Sequence, residues 1–176
     1  DLLLPRQDAF GVDLIDVSLQ VRSGEVVGIA GVSGNGQQEL LRALSGEDTR
    51  AQPAMVQVTG QDVARLGPQQ RRALGLHFVP EERLGRGAVP TMGLAHNLLL
   101  TRSDAVGAMG WLHLGQLKEQ ARAIIERFGV KAGGADAPAR SLSGGNLQKF
   151  IVGREIAAQP KLIIIAQPTW GVDVGA

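Results

Sequence analysis

The chain has 176 residues, 44% of them hydrophobic, which is enough for one globular core and too little for two ordinary domains. Eighteen basic residues against 17 acidic ones leave a net charge of +1, so no basic field draws it to nucleic acid. The absence of cysteine excludes disulfides and thiolate metal sites, and 3% aromatic content with no tyrosine argues against base-stacking platforms.

No stretch approaches the roughly 20 apolar residues of a membrane span. The longest apolar run, 162–166, suits a buried strand. Residues 1–6 lack the basic start, long apolar middle and small-residue cleavage site of a secretory signal. The expectation is a soluble chain whose membrane contacts are made through partners.

In chain order, residues 14–21 alternate apolar and polar side chains (Ile15, Val17, Leu19, Val21), which predicts a half-buried strand. Ser23-Gly24 turns the chain, and the apolar run 26–30 predicts a short buried strand. A glycine-rich loop, 31–36, is followed by Leu40, Leu41 and Leu44 at helical spacing, with Gly46 as the stop. Residues 55–58 predict a strand ending at Gly60. Pro68 marks a helix start and Gly75 its end. Residues 76–79 predict a strand stopped by Pro80. Residues 85–93 read as a flexible loop and 94–100 as a helix. Leu114, Leu117, Ala121, Ile124, Ile125 and Phe128 mark one face of a long amphipathic helix. Residues 133–138 read as a linker. Ser143 fits the N-cap of a helix carrying Leu147, Phe150 and Ile151. Residues 162–166 form the last predicted strand. Buried strands alternating with helices predict an α/β fold with a largely parallel sheet.

Gly31-Val32-Ser33-Gly34-Asn35-Gly36-Gln37-Gln38 has the spacing of a P-loop, whose pattern ends Gly-Lys-Ser/Thr. Its glycines let backbone N–H groups curl around an anion, and the following helix aims its positive end there. The lysine that reaches the outer phosphates is replaced by Gln37, and the hydroxyl that holds magnesium by Gln38. Glutamine hydrogen-bonds but cannot neutralise phosphate charge. The plain alternative is an ordinary strand-turn-helix connection.

Leu142-Ser143-Gly144-Gly145-Asn146 resembles the ABC signature sequence, with Asn146 where glutamine is usual. A serine cap and two glycines at a helix start favour an anion. Lys161-Leu162-Ile163-Ile164-Ile165-Ala166-Gln167-Pro168-Thr169, followed by Gly171-Val172-Asp173, resembles a Walker B strand and D-loop. Ala166 and Gln167 stand where the family has an aspartate that organises magnesium and a glutamate that acts on the attacking water. A positioned general base contributes about 10²–10⁴ in rate, and neither replacement supplies one. Phe78-Val79-Pro80-Glu81 stands where the family has a strand ending in the Q-loop glutamine. Glu81 is either an oxygen facing magnesium or the membrane partner, or a solvated loop carboxylate beside Glu82 and Arg83. Phe10 precedes the first predicted strand, 14–21, where the family usually has an aromatic that stacks on adenine; a core phenylalanine is the alternative.

The resemblance, four motifs in order over nearly the whole chain, is to the nucleotide-binding domain of ABC transporters. It is similar to the C-terminal half of duplicated importers for simple sugars and nucleosides, carried by residues 28–37, by Val79-Pro80-Glu81-Glu82-Arg83, and by Ala166-Gln167-Pro168-Thr169 with Asp173-Val174-Gly175-Ala176. It implies one domain over 1–176 with a P-loop NTPase core of mainly parallel sheet, a small antiparallel β part and a helical subdomain at 94–140. ATP is the implied cofactor, held by Gly31, Ser33, Gly34, Asn35, Gly36, Gln37, Gln38 and Phe10, with magnesium weakly held at Gln38 and Glu81 or absent. Family halves close head to tail, so the chain's own site would be degenerate. The signature, Ser143, Gly144, Gly145 and Asn146, would complete the partner half's site, and Asp173 would be the D-loop residue. Implied partners are that second half, membrane permease subunits and, indirectly, a solute-binding protein, at the cytoplasmic face of the membrane.

Family members continue past the D-loop with a strand bearing a switch histidine. His77, His96 and His113 all precede Walker B; His77 reads as a strand residue and the others as surface. On this reading the chain is a fragment that closes its sheet differently, swaps elements with a copy of itself, or exposes an apolar edge. Two rivals are an ABC ATPase of DNA repair, which the lack of heptads, cysteine and a basic stripe disfavours, and an interaction module that binds no nucleotide.

Overall fold

The computed structural model describes residues 1–102, 107–108 and 111–169. The chain divides into two compact units, Asp1–His77 and Phe78–Ala176.

In the first unit, β1 (Leu2–Leu4) pairs antiparallel with β2 (Leu14–Val17). The two-residue period buries Leu2, Leu4 and Leu14 and leaves Leu3 and Ile15 outside. The strand predicted over 14–21 ends at Val17, where its partner β1 runs out at Leu2, and within it Asp16 takes a left-handed backbone (φ 57°) at the point where the pairing shifts register. Beyond the turn at Gly24, residues 26–30 form no strand, contrary to expectation. Val26 is 96% exposed and Ile29 57%. An apolar run becomes a strand only where a neighbour's N–H and C=O groups face it, and no described strand lies beside this one.

The helix α1 (Gln37–Ser45) follows, with Leu40 and Ala43 buried and Glu39 favouring its positive end. Gly46 ends it in a left-handed conformation (φ 88°), its N–H returning to the Arg42 carbonyl at 3.1 Å. The strands β3 (Gln57–Val58) and β4 (Gln61–Asp62) form a hairpin turned by Thr59 and Gly60, both at positive φ as a two-residue turn requires. The helix α2 (Pro68–Ala73) starts on its proline, with the Gln70 side chain accepting the Gly67 N–H at 3.0 Å. From α2 comes Arg71, fully buried. Its guanidinium donates to the Ala43 carbonyl at 2.5 Å, Leu44 at 2.8 Å, Leu66 (from Nε) at 2.8 Å and Ala64 at 3.3 Å. Two of these are last-turn carbonyls of α1, which have no partner within their own helix.

The strand β5 (Leu76–Val79) neighbours β8 (Leu162–Ile165), which is distant in sequence and reached by a crossover, and the Ala166 N–H donates to the Val79 carbonyl at 3.0 Å. Between them lie α3 (Leu94–Asn97), α4 (Leu99–Arg102), the hairpin β6 (Gly107–Ala108) and β7 (Trp111–Leu112), α5 (Leu114–Arg127) and α6 (Gly144–Ala157). The face predicted for the long helix is the one buried: Leu117, Ala121 and Ile124 join Leu94, Leu98, Leu147, Phe150 and Ile151 in one apolar cluster. The single helix predicted over 94–100 is two. The Asn97 carbonyl accepts the Arg154 guanidinium at 3.1 Å, and the Thr101 N–H bonds Leu98 at 3.2 Å instead, so the ladder breaks there.

Residues 133–138 are not a free linker. Arg140 and Ala139 donate backbone N–H groups to the Pro90 and Met92 carbonyls, both at 3.0 Å, and Leu94 and Ala95 donate to Ala137 and Ala135 at 3.1 and 2.8 Å. The loop predicted over 85–93 is organised around Asn97. This fully buried side chain accepts the Val89 N–H at 2.7 Å and donates to the Val89, Met92 and Gly93 carbonyls at 3.0–3.2 Å.

The helices α5 and α6 meet at Gly153, where a Cβ would lie 2.6 Å from the Phe128 ring. Glycine to alanine inside a helix ordinarily stabilises by about 1 kcal/mol. Here the ring cannot yield cheaply, and overpacking costs about 1–3 kcal/mol. Gly153→Ala is therefore expected to lower stability by about 1 kcal/mol in urea denaturation; a more stable variant would show that the ring moves aside freely.

Candidate functional site

The glycine loop read as a phosphate loop, 31–36, lies in the first unit between the exposed segment 26–30 and α1. Gly34 and Gly36 both adopt left-handed φ (88° and 93°), which a side chain at either position would strain. The turn they make exposes Ser33, Gly34 and Asn35 and hands the chain to α1 at Gln37. The Gln37 side chain does not extend into solvent. Its Nε2 donates to the Val32 carbonyl at 2.8 Å, and its Oε1 accepts the Asn35 N–H at 3.0 Å. Gln38 is exposed.

Phe10 is 98% exposed, which overturns the core reading. The Asp8 carboxylate accepts its N–H at 3.0 Å, closing a tight turn that leaves the ring no apolar neighbour to cover it. Two residues later, the Val12 N–H donates to Glu39 Oε1 of α1 at 3.3 Å. Val12 and Leu14 also line Gly36, where a Cβ would meet them at 3.5 and 3.3 Å. The strand end after Phe10 is thus fastened to the start of α1.

The other motifs lie in the second unit. Ser143 caps α6, its Oγ accepting the Asn146 side-chain amide at 2.8 Å and the Asn146 N–H at 3.5 Å. Both lone pairs are engaged, leaving the hydroxyl hydrogen for an acceptor outside. Asn146 Oδ1 in turn accepts the Lys131 N–H at 2.7 Å. Ser143 and Gly144 are exposed at the helix's positive end, Gly145 partly so. Glu81 is half-buried at the start of the loop after β5. Ala166 is buried where β8 ends, and Gln167 is exposed with a left-handed backbone (φ 47°). Gly171 and Asp173, the D-loop, fall outside the described residues. His77 is buried in its strand against Arg72 at 3.1 Å, while His96 and His113 are exposed, as expected.

Among the described residues, no group of three His, Cys, Asp or Glu side chains gathers to hold a metal ion. Neither the carboxamide at 38 nor the buried methyl at 166 supplies the hydroxyl and carboxylate donors magnesium prefers, so these positions do not fit that ion. Sequence reasoning missed Asn97 and Arg154. Asn97 serves the backbone of the loop before its helix, and Arg154 bridges the neighbouring Glu155 carboxylate at 2.9 Å and the distant Asn97 carbonyl, arrangements that no residue pattern announces. No helix among the described residues is long and apolar enough to cross a membrane.

The family model described as ABC transporter matches residues 14–170. The guanosine import ATP-binding protein NupO of Bacillus subtilis (strain 168) is 39% identical over 97% of this chain and 34% of its own length. The glucose import ATP-binding protein TsgD13 of Haloferax volcanii is 44% identical over 93% of this chain and 30% of its own. The ribose import ATP-binding protein RbsA 1 of Rubrobacter xylanophilus is 41% identical over 93% and 33%. The chain thus spans about a third of the length of these relatives. A dimeric structure of the ATP-binding cassette MJ0796 bound to ADP and Pi superposes with a TM-score of 0.76 at 21% identity, covering 98% of this chain and 76% of that one. At that identity the likeness establishes the fold, an ABC cassette of mixed α/β class. With its glycine loop leading into α1, its serine-capped α6 and the family model spanning both, the chain belongs to the ABC transporter family.

Proposed function

We propose that residues 1–176 form a nucleotide-binding domain of an importer for simple sugars or nucleosides, with residues 94–140 as its helical subdomain. Its own phosphate loop binds ATP weakly or not at all and does not hydrolyse it, and its signature completes the ATPase site of a second nucleotide-binding half. The solute class follows the relatives, named as import proteins for guanosine, glucose and ribose. Permease subunits at the cytoplasmic face of the membrane, and a solute-binding protein beyond them, are the partners this reading requires.

One observation carries it: the anion-facing end of α6 is intact while the groups for chemistry are replaced. Ser143 keeps its cap at the exposed start of α6. Gln37, Gln38, Ala166 and Gln167 stand where a cation, a hydroxyl and two carboxylates would stabilise charge and activate water. Loss of the base alone costs about 10²–10⁴ in rate.

Calorimetric titration of MgATP into the folded chain, with phosphate release followed in parallel, tests the domain's own site. Expected is weak or no binding and no phosphate release. Steady hydrolysis by this chain alone would overturn the degenerate site. A weak saturable isotherm without hydrolysis would mark a nucleotide that serves structure.

A further inference from the structure

The side chain of Gln37 curls back across the loop it follows. Its Nε2 donates to the Val32 carbonyl at 2.8 Å and its Oε1 accepts the Asn35 N–H at 3.0 Å. Gly31 leaves the room for this: a Cβ there would lie 2.6 Å from Gln37 Nε2. The Asn35 N–H sits between the two left-handed glycines Gly34 and Gly36, within the turn whose N–H groups cradle an anion in a P-loop.

We propose that the Gln37 carboxamide is a built-in occupant of the phosphate loop: its Oε1 takes the place of a phosphate oxygen on the Asn35 N–H, so position 37 decides whether nucleotide enters. This rests on the reading of 31–36 as a nucleotide loop. The substitution then does more than remove a positive charge. A lysine could also reach the Val32 carbonyl, but it has no acceptor to offer Asn35. Glutamine supplies donor and acceptor together, on one planar group, and satisfies both ends of the loop without a ligand. An incoming phosphate must first displace a hydrogen bond whose partners are already held two residues apart in the chain.

The distinguishing experiment is a truncation that adds no charge. MgATP is titrated into the wild-type chain, Gln37→Ala and Gln37→Lys, with thermal melts confirming that each folds. The proposal expects Gln37→Ala to bind about fivefold tighter than the wild type, the scale of one released hydrogen bond, and Gln37→Lys tighter still. Gain by the lysine variant alone would show that charge, not occupancy, governs the loop; it would overturn the proposal and leave the nucleotide reading standing. No binding by any of the three would overturn the proposal, because the loop would then refuse nucleotide whatever stands at 37, and would leave completion of the partner's site as the domain's role. Amide exchange gives a ligand-free check. The Asn35 N–H is expected to exchange faster in Gln37→Ala than in the wild type, and an unchanged rate overturns the occupancy.

Discussion

Gly144→Asp is expected to cut the ATPase rate of the assembled transporter by about 10²–10³, the scale of removing one preorganised anion-stabilising group. Gly144 is the first residue of α6 after its Ser143 cap, and it is exposed. An aspartate there stands on an exposed position and even suits the helix, because a carboxylate is favoured in the first turn. The same carboxylate, however, occupies the positive end that the proposed function reserves for a phosphate from the partner half, and it repels that phosphate at close range. Stability and activity should therefore separate: the melting temperature holds or rises while turnover collapses. The measurement is ATP hydrolysis by the full importer in membranes, with the variant's melt as control. Turnover within tenfold of the wild type would show that this signature completes no active site.

Arg71→Met is expected to destabilise the chain by about 3 kcal/mol, the largest stability effect among these changes. Methionine preserves the aliphatic stem but returns nothing to the four carbonyls the guanidinium serves. Two of them close α1, the helix that begins at the phosphate loop. Burial pushes the Arg71 pKa below its usual value, with the Asp62 charge partly offsetting it, so the protein tolerates a desolvated cation here. The carbonyls repay that cost. Gly46 has the same origin: its Cβ would fall 2.8 Å from both Arg71 Nε and the Leu66 carbonyl. In urea unfolding the midpoint should fall with an unchanged slope. A loss below about 1 kcal/mol would mean that water replaces the guanidinium at those carbonyls.

Much of the fold is legible because its signals are local. Gly46 and Ser143 cap helices, Pro68 opens one, and Leu117, Ala121 and Ile124 share a face, each within a turn or two of chain. The glycine turn at 31–36 and the serine cap before α6 are legible for the same reason. Segment 26–30 misleads because apolar composition promises burial that only a neighbouring strand can deliver. Phe10 misleads in the same way: its ring suggests core, while the turn at Asp8 decides its direction. Arg71 and Arg154 are invisible in sequence, since each is a charged residue made at home in the interior partly by backbone carbonyls 27–57 residues away, and Asn97 is invisible because its partners lie in a loop with no repeating pattern. The sequence shows that position 37 is not lysine; that its carboxamide bridges Val32 and Asn35 emerges only in three dimensions.

The backbone bonds between 90–95 and 135–140, with Asn97 gripping the first segment from behind, mean that neither segment can open alone. Fraying one breaks the other's bonds, so the two share a single opening free energy and act as one cooperative unit. Ser143 stands three residues beyond Arg140, at the end of that unit. The capped start of α6 thus inherits its persistence from a segment some fifty residues earlier in the chain, and the stretch that read as a linker is the seam joining them.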